Sequence, residues 1–413
     1  MVNITINGKP MQAEEGTTIL SAASAAKMPV PSLCYLKDIN EIGACRVCVV
    51  EIKGVSRLVT GCNNVVQEGM EILTNSPRVR EARRTNVELI LSQHNSSCTS
   101  CVRGGNCSLQ RIANDLGIYA SEYKKDIPKR QWPIEFPLIR DASRCIKCMR
   151  CVQICDKVQD LHIWDIVKTG SRATVGVTHN LQIIQSDCAI CGQCLTHCPT
   201  GALRERDDTL QLLSMQGAFA DPDKVTIVQV APAVRSAWAE ELGLDREEAT
   251  PGRLVAALKA LGFDYVFDTD FGADLTIMEE GSEFLERMRH REDYTFPMFT
   301  SCCPGWVRFL KSQYPEMIGQ LSTAKSPHQM QGAVTKTYLA EKFGLDPDRV
   351  YNVSVMPCIA KKKEAEIPNI NDSGHGRDVD LVLTTREIAR MIRADHLDVK
   401  HLPEEEFDDP FGV

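Results

Sequence analysis

The chain has 413 residues, 43% hydrophobic and 25% charged, and 18 of them are cysteine. A net charge of −8, from 47 basic and 55 acidic residues, excludes a broad electropositive footprint for nucleic acid. No apolar stretch approaches the ~18 residues of a membrane span, and the opening MVNITINGKP has neither the basic nor the apolar segment of a secretory signal. A cytoplasmic protein of roughly two to four domains is expected, in which clustered cysteines read as metal ligands rather than disulfides.

Ile4 and Ile6 alternate with polar residues before an Asn7-Gly8 turn, a hairpin signal. A helix is expected from Thr17, with Ile19, Leu20 and Ala23 on one side, and another strand over 47–52. This pattern predicts a small ferredoxin-like module over 1–78. Across 79–93, Val87, Ile90 and Leu91 fall at helical spacing and lead into His94, opening a second module over 79–125. The next stretch, 126–210, holds two cysteine-rich helix–loop units separated by a hairpin that turns at Gly170, the only internal repeat visible.

From about residue 211 the texture becomes that of an α/β body, over 211–413. VTIVQVAPAV (225–234) reads as a buried strand. GRLVAALKALG (252–262) reads as a helix with Leu254, Leu258 and Leu261 on one face and Gly262 as its stop. YVFDT, FPMFTS and NVSVMPC read as further strands, and LVLTTREIARMI as a strand followed by a helix with a Thr384–Glu387 capping box. Alternation of this kind argues for a mostly parallel sheet, with functional groups at the carboxyl ends of its strands. The expected fold class is thus an α+β front end followed by an α/β domain.

The cysteine spacings define the chemistry. Cys145, Cys148, Cys151 and Cys155 repeat as Cys188, Cys191, Cys194 and Cys198, the last followed by Pro199. Paired runs of this spacing hold two [4Fe–4S] clusters, the fourth cysteine of each run serving the other cluster. Cys145, Cys148, Cys151 and Cys198 therefore form one ligand set, and Cys188, Cys191, Cys194 and Cys155 the other. Cys34, Cys45, Cys48 and Cys62 sit in the strand-and-turn module and suit a [2Fe–2S] rhomb, although four thiolates also suit structural zinc. His94, Cys98, Cys101 and Cys107 offer one imidazole and three thiolates, a zinc set by spacing alone. Their place between the other modules favours a third [4Fe–4S] cluster, whose potential a neutral ligand would raise.

Three cysteines remain, in TSCCPGW (300–306) and MPC (356–358), with Lys361 three residues beyond Cys358. With FGADLTIMEEGSEFLER (271–287) and the order of cluster modules before them, these motifs resemble the catalytic subunit of the [FeFe]-hydrogenases over essentially the whole chain. That resemblance implies an H-cluster, a [4Fe–4S] cubane bridged to a di-iron unit, with Cys303 and Cys358 as two cubane ligands. It makes Cys302 the thiol that passes protons to the di-iron unit and Lys361 the partner of a cyanide, while Met356, Ala231 and Pro232 line the pocket. It also implies a proton path from Cys302 through Ser322 and Glu280 to Glu283 and the surface near Arg287. Glu280, Glu283 and Arg287 share one face of a predicted helix, which would otherwise read as a solvated stripe.

Two departures stand out. The chain stops at EEEFDDPFGV, where the resemblance implies a third motif with the remaining two cubane cysteines, so the catalytic domain and its H-cluster are incomplete here. The abrupt end reads as that of the ordered part of a longer chain. His328 stands where the family commonly has Gln, and Ala233 where some members have Ser. The expected activity is reversible interconversion of two protons and two electrons with H2. The front-end clusters resemble those of multi-subunit members, which implies a flavin- and NAD(P)-binding partner, a small [2Fe–2S] subunit, ferredoxin as a further partner, and the possibility of electron bifurcation. No GxGxxG loop is present, so nucleotide would bind a partner. Competing readings are a pure electron-relay subunit, like those of respiratory complex I or formate dehydrogenase, and a sensory or assembly protein of the same fold.

Overall fold

The computed structural model describes residues 1–120, 123–127 and 129–411; the final two residues of the terminal PFGV lie outside them. The chain divides into two compact units, one of residues 1–186 with 193–205, the other of 187–192 with 206–413. Among the described residues no helix is long and apolar enough to cross a membrane.

The first unit begins with the expected hairpin, β1 (Val2–Ile6) and β2 (Lys9–Ala13), turning through Asn7 and Gly8 at φ 49° and 80°. Both residues take the left-handed conformation that two-residue hairpin turns require. Helix α1 (Ile19–Ala25) starts at Thr18, whose side chain accepts from the Ser21 N–H. Strands β3 (Val49–Ile52), β4 (Val59–Thr60) and β5 (Glu71–Leu73) complete a sheet of order β2-β1-β5-β3-β4. Helix α2 (Pro77–Ser92) follows, capped by Ser76 with proline at its first position. Its Arg83 is buried and donates to the Val47, Val49 and Thr74 carbonyls at 3.0–3.1 Å, fastening the helix to the sheet.

Helix α3 (Ser108–Asp115) precedes the two-cluster module. There β6 (Leu138–Arg140) pairs with β9 (Leu203–Glu205), enclosing α4 (Arg150–Lys157), the hairpin β7 (Trp164–Val167) and β8 (Thr174–Val177), and the short α5 (Gln193–Thr196). Gly170 lies in the hairpin's connection with φ 61°.

The second unit is built on a four-stranded, wholly parallel sheet of order β11-β10-β12-β13. After the short α6 (Leu210–Leu213) come β10 (Val225–Val230), α7 (Pro232–Ala237), α8 (Pro251–Leu261), β11 (Tyr265–Asp268) and α9 (Asp270–Arg289). They are followed by α10 (Pro304–Gln313), α11 (Pro327–Val334), α12 (Ala340–Lys342), β12 (Val350–Met356), α13 (Ala360–Glu364), β13 (Leu381–Thr384) and α14 (Thr385–Ala394). Leu254, Leu258 and Leu261 are buried in one core with Val228, Val353 and Leu383, and Gly262 ends α8 at φ 113°. Gly272 lets α9 approach α11, because a Cβ there would collide with the Pro327 carbonyl.

Two sequence expectations need correction. The apolar run 225–234 is a strand only to Val230, because Pro232 opens a helix at its first position. FPMFTS forms no strand: Pro297 has no N–H to give a ladder, and the segment makes one isolated bridge, Phe299 with Leu321.

The capping box of α14 is present, and its Glu387 has a second role. Lys362, whose side chain is fully buried, bonds Asp208 at 2.8 Å, Glu387 at 2.9 Å and the Val382 carbonyl at 2.9 Å. Removing its ammonium takes the cation from buried Glu387 and leaves Asp208 to Arg206 alone, so Lys362→Met should destabilise this unit by about 3–5 kcal/mol. Scanning calorimetry of the full chain would show this as a lowered transition.

Candidate functional site

No disulfide joins any of the 18 cysteines. Cys34, Cys45, Cys48 and Cys62 are 0–7% exposed. Hydrogen bonds from Cys45 and Cys62 hold the Cys34 thiol down at about 2, and one from Cys62 holds Cys48 at about 7, while Cys45 and Cys62 are pushed up in return. Four buried sulfurs linked in pairs, Cys34 with Cys45, Cys34 with Cys62 and Cys48 with Cys62, without a disulfide, fit the donor set of a [2Fe–2S] rhomb. Asn40 fastens the loop by donating to the Cys34 and Cys148 carbonyls at 2.7 and 2.9 Å.

His94 is 7% exposed at the end of α2. Burial, with the Arg144 charge beside it, lowers the imidazole to about 4, so the ring is neutral at neutral pH. The ring bonds the Arg144 backbone, and its buried Nδ1 has no partner. That orphaned nitrogen fits a metal ligand. A recess of ≈ 910 Å³, its open mouth included, is lined by His94, Cys98 and Cys107. Cys101 lies against Gly201, where any Cβ would collide with its Sγ.

Cys145, Cys148, Cys151 and Cys198 line one recess of ≈ 370 Å³, mouth included. This is the crossed set expected from spacing, with the fourth cysteine contributed by the other run. Burial pushes the Cys148, Cys151 and Cys198 thiols up, so their anionic forms need a positive partner such as iron. The two CxxC loops share one backbone: Lys147 and Met149 have φ 55° and 66°, and Ile190 and Gly192, at the same places in the repeat, have φ 57° and 76°. A β-branched residue at positive φ is an outlier that only a strong local demand sustains. Here the turn aims the Ile190 N–H at Cys188 Sγ, 3.4 Å away. In the second set, Cys155 Sγ accepts from the Ile163 N–H at 3.4 Å, Cys194 is buried and Cys191 is exposed.

In the second unit the remaining motifs meet at the carboxyl ends of the parallel strands. Ala231 follows β10 and caps α7, whose first residue, Pro232, is exposed; Met356 ends β12 and is 4% exposed. Cys303 caps α10, its Sγ accepting from the Trp306 N–H at 3.4 Å. Burial raises the Cys358 thiol, and the nearby charge of Cys303 raises it further. Lys361 Nζ donates to the Cys302 carbonyl and to Glu364 Oε2, both at 2.7 Å. His328, 1% exposed, bonds Glu364 Oε2 through Nε2 at 2.6 Å and Ser354 Oγ through Nδ1 at 3.2 Å. Burial pushes the His328 imidazole down, the Lys361 charge adds to this, and Glu364 pulls it back up. Burial alone would raise the Glu364 carboxyl, but these neighbours outweigh it and hold the group near 2.

Glu364 was not singled out by sequence reasoning, although KKKE places it three residues after Lys361, within helical reach. Arg308 was also missed: its Nε donates to the Cys188 carbonyl at 2.9 Å. A Cβ on Gly305 would lie 3.1 Å from the Ala189 carbonyl, so the Cys188 loop rests on the first turn of α10, whose cap is Cys303.

The expected proton-path residues come together in part. Ser322 Oγ donates to Glu283 Oε2 at 2.7 Å, and Arg287 Nη2 donates to Glu283 Oε1 at 2.6 Å and to the Leu321 carbonyl at 2.8 Å. Glu280 accepts from the Ser301 N–H at 3.4 Å, and its charge bears on Cys302, whose thiol is raised chiefly by burial. Ser322 thus bonds Glu283 rather than Glu280.

Family models match four stretches of the chain. They are the 2Fe-2S iron–sulfur cluster binding domain over 1–77, the NADH-ubiquinone oxidoreductase-G iron–sulfur binding region over 83–122, the 4Fe-4S dicluster domain over 144–202, and the iron only hydrogenase large subunit, C-terminal domain, over 224–413. The NADP-reducing hydrogenase subunit HndD of Solidesulfovibrio fructosivorans is 45% identical over all of this chain and 72% of its own length. Iron hydrogenase 1 of Clostridium pasteurianum is 37% identical over all of this chain and 71% of its own length. The periplasmic [Fe] hydrogenase large subunit of Nitratidesulfovibrio vulgaris is 42% identical over 57% of this chain and 62% of its own length. TSCCPGW and MPC thus sit in a matched catalytic domain behind matched iron–sulfur domains, and the chain belongs to the iron-only hydrogenases, enzymes that act on molecular hydrogen.

Proposed function

We propose that this chain is the catalytic and electron-carrying subunit of a multi-subunit [FeFe]-hydrogenase. One [2Fe–2S] and three [4Fe–4S] clusters would carry single electrons between the H-cluster site and an NAD(P)-linked flavoprotein partner, a small [2Fe–2S] subunit or ferredoxin. The observation that carries this reading is the meeting of Cys302, Cys303, Cys358 and Lys361 at the strand ends, with the Cys188 loop packed on the helix that Cys303 caps. The name of the NADP-reducing relative supports a pyridine-nucleotide link, and its whole-length identity supports partner subunits. The reading takes four functional modules, over 1–78, 79–125, 126–210 and 211–413.

Cys303 and Cys358 would hold the cubane of the H-cluster, and Met356, Ala231, Pro232 and His328 would stand around it. When bound, that group supplies the metal centre at which two protons and two electrons interconvert with H2. The chain's own residues handle protons and charge. Cys302 keeps its proton on Sγ at neutral pH, because burial disfavours the thiolate. Lys361 is held by Glu364 and the Cys302 carbonyl, leaving its third proton for an anionic ligand. Ser322 and Glu283 form a hydrogen-bonded pair to relay a proton, and Arg287 fixes the Glu283 carboxylate.

Three tests follow from this geometry. Glu283→Gln should lower H2 turnover with a reduced dye by about 10²-fold or more, the scale of a lost proton-transfer group, while dye reduction of the iron–sulfur clusters proceeds as before. Unchanged turnover would remove Glu283 from the path. Metal analysis with EPR of the reduced chain should find, before any H-cluster, three [4Fe–4S] clusters and one [2Fe–2S], and His94→Ala should remove one [4Fe–4S]; zinc at that site would overturn the count. For pH, Glu364 sits near 2 in the folded chain, against about 4.3 unfolded. Its stabilisation is therefore present above about pH 4.3 and lost as pH falls towards 2. Acid unfolding of Glu364→Gln should show a weaker pH dependence across that window than the unchanged chain.

A further inference from the structure

The recess of the first ferredoxin-type ligand set carries a charge with no counter-charge. Arg140, the last residue of β6, is 4% exposed and lines that recess beside Cys145, Cys148, Cys151 and Cys198. Its Nη2 donates to Thr174 Oγ1 at 3.2 Å, and its Nη1 is buried without a partner. A second guanidinium stands behind it. Arg130 Nη2 donates to Asn180 Oδ1 at 2.7 Å, and its Nη1, also buried without a partner, would lie 2.6 Å from a Cβ on Gly176 in the same hairpin. Burial and then the Arg140 charge disfavour the protonated form of Arg130. Arg144, four residues after Arg140, differs in being paired with Asp141 at 3.0 Å. Neither Arg130 nor Arg140 has a carboxylate partner among the described residues.

Guanidinium stays protonated in proteins, and an isolated charge in an apolar recess is strongly disfavoured unless an anion faces it. The groups in this recess able to be anionic are the four sulfurs. Four thiolates around a [4Fe–4S] core are anionic overall and gain one unit of negative charge when the cluster takes up one electron. The internal repeat supplies a control, because the position five residues before Cys145 is Arg140, whereas the position five before Cys188 is the buried Ile183.

We propose that Arg140, backed by Arg130, raises the reduction potential of the cluster held by Cys145, Cys148, Cys151 and Cys198, making it the more readily reduced of the two ferredoxin-type clusters. This rests on the reading that the recess holds a [4Fe–4S] cluster. The step is a one-electron transfer: a reduced donor loses one electron, the cluster gains it, and no bond or proton is exchanged. The unpaired guanidinium stabilises the added charge across the recess wall, and hydrogen-bond donors and net charge near the sulfurs are the levers that set cluster potentials.

The test is a dye-mediated redox titration of the full chain followed by EPR. In Arg140→Gln the midpoint of one [4Fe–4S] signal should move negative by at least a tenfold fall in its reduction equilibrium constant, about 59 mV for a one-electron couple, with the other signals unmoved. Arg140→Lys, which keeps the charge, should restore most of the original potential. Arg130→Gln removes the second charge without opening the recess and should move the same signal in the same direction by less. Cluster-replete Arg140→Gln and Arg130→Gln chains that both titrate as the unchanged protein would overturn the proposal. If Arg140→Gln loses the cluster, Arg130→Gln decides: a negative shift upholds the charge effect, and an unmoved midpoint overturns it. Cys148→Ala separates the underlying reading, since loss of one [4Fe–4S] signal upholds the cluster in this recess, and retention of all signals overturns that reading itself.

Discussion

A buried thiolate is tolerable only against a positive partner, and much of the front of this molecule follows from that electrostatic constraint. Cys148, Cys151 and Cys198 are pushed away from ionisation by burial, yet the fold directs them with Cys145 into a single apolar recess. On the proposed function, iron is the cation that would resolve the conflict. The backbone contributes as well: residues at matching positions of both CxxC loops adopt the left-handed conformation, which turns an amide towards sulfur at Cys188. Arg140 adds a fixed positive charge on one side of the recess.

The second unit meets a related problem with different parts. Its parallel sheet ends in loops, and three segments distant in sequence carry reactive or charged groups there: the cap of α10, the turn after β12, and the first turn of α11. Lys361 links them, bonding the Cys302 carbonyl on one side and, through Glu364, the imidazole of His328 on the other. His328 therefore occupies its place as a buried hydrogen-bonding strut. Its Nδ1 contact with Ser354 in β12 ties α11 to the central sheet. The same unit holds the Cys188 loop through Arg308, so that loop and the cap residue Cys303 share the first turns of α10 as a support.

Much of the architecture was legible because its signals are local. The Asn7-Gly8 hairpin, the Gly262 helix stop and the Thr384–Glu387 capping box each depend on a few adjacent residues and occur as expected. The errors were local ambiguities: apolar content made FPMFTS look like a strand, while pairing requires a neighbour and an N–H that Pro297 lacks. The partner of Ser322 is a different kind of question. Helical spacing puts Glu280 and Glu283 on one face, but which of them meets Ser322 depends on where the loop after Leu321 returns, a long-range matter.

By itself the sequence determined which residues could supply ligands, because cysteine spacing along short loops is fixed by chain order. It also determined the family, through TSCCPGW and MPC, and the parallel strand–helix alternation. Only the tertiary structure decided which charges face the sulfurs. Arg140 and Arg144 are neighbours on the chain and look alike in the sequence, yet one is paired with Asp141 and the other stands unpaired in the recess. The reason is physical: a charge acts through its distance and surroundings in space, and those are set by packing between segments rather than by order along the chain.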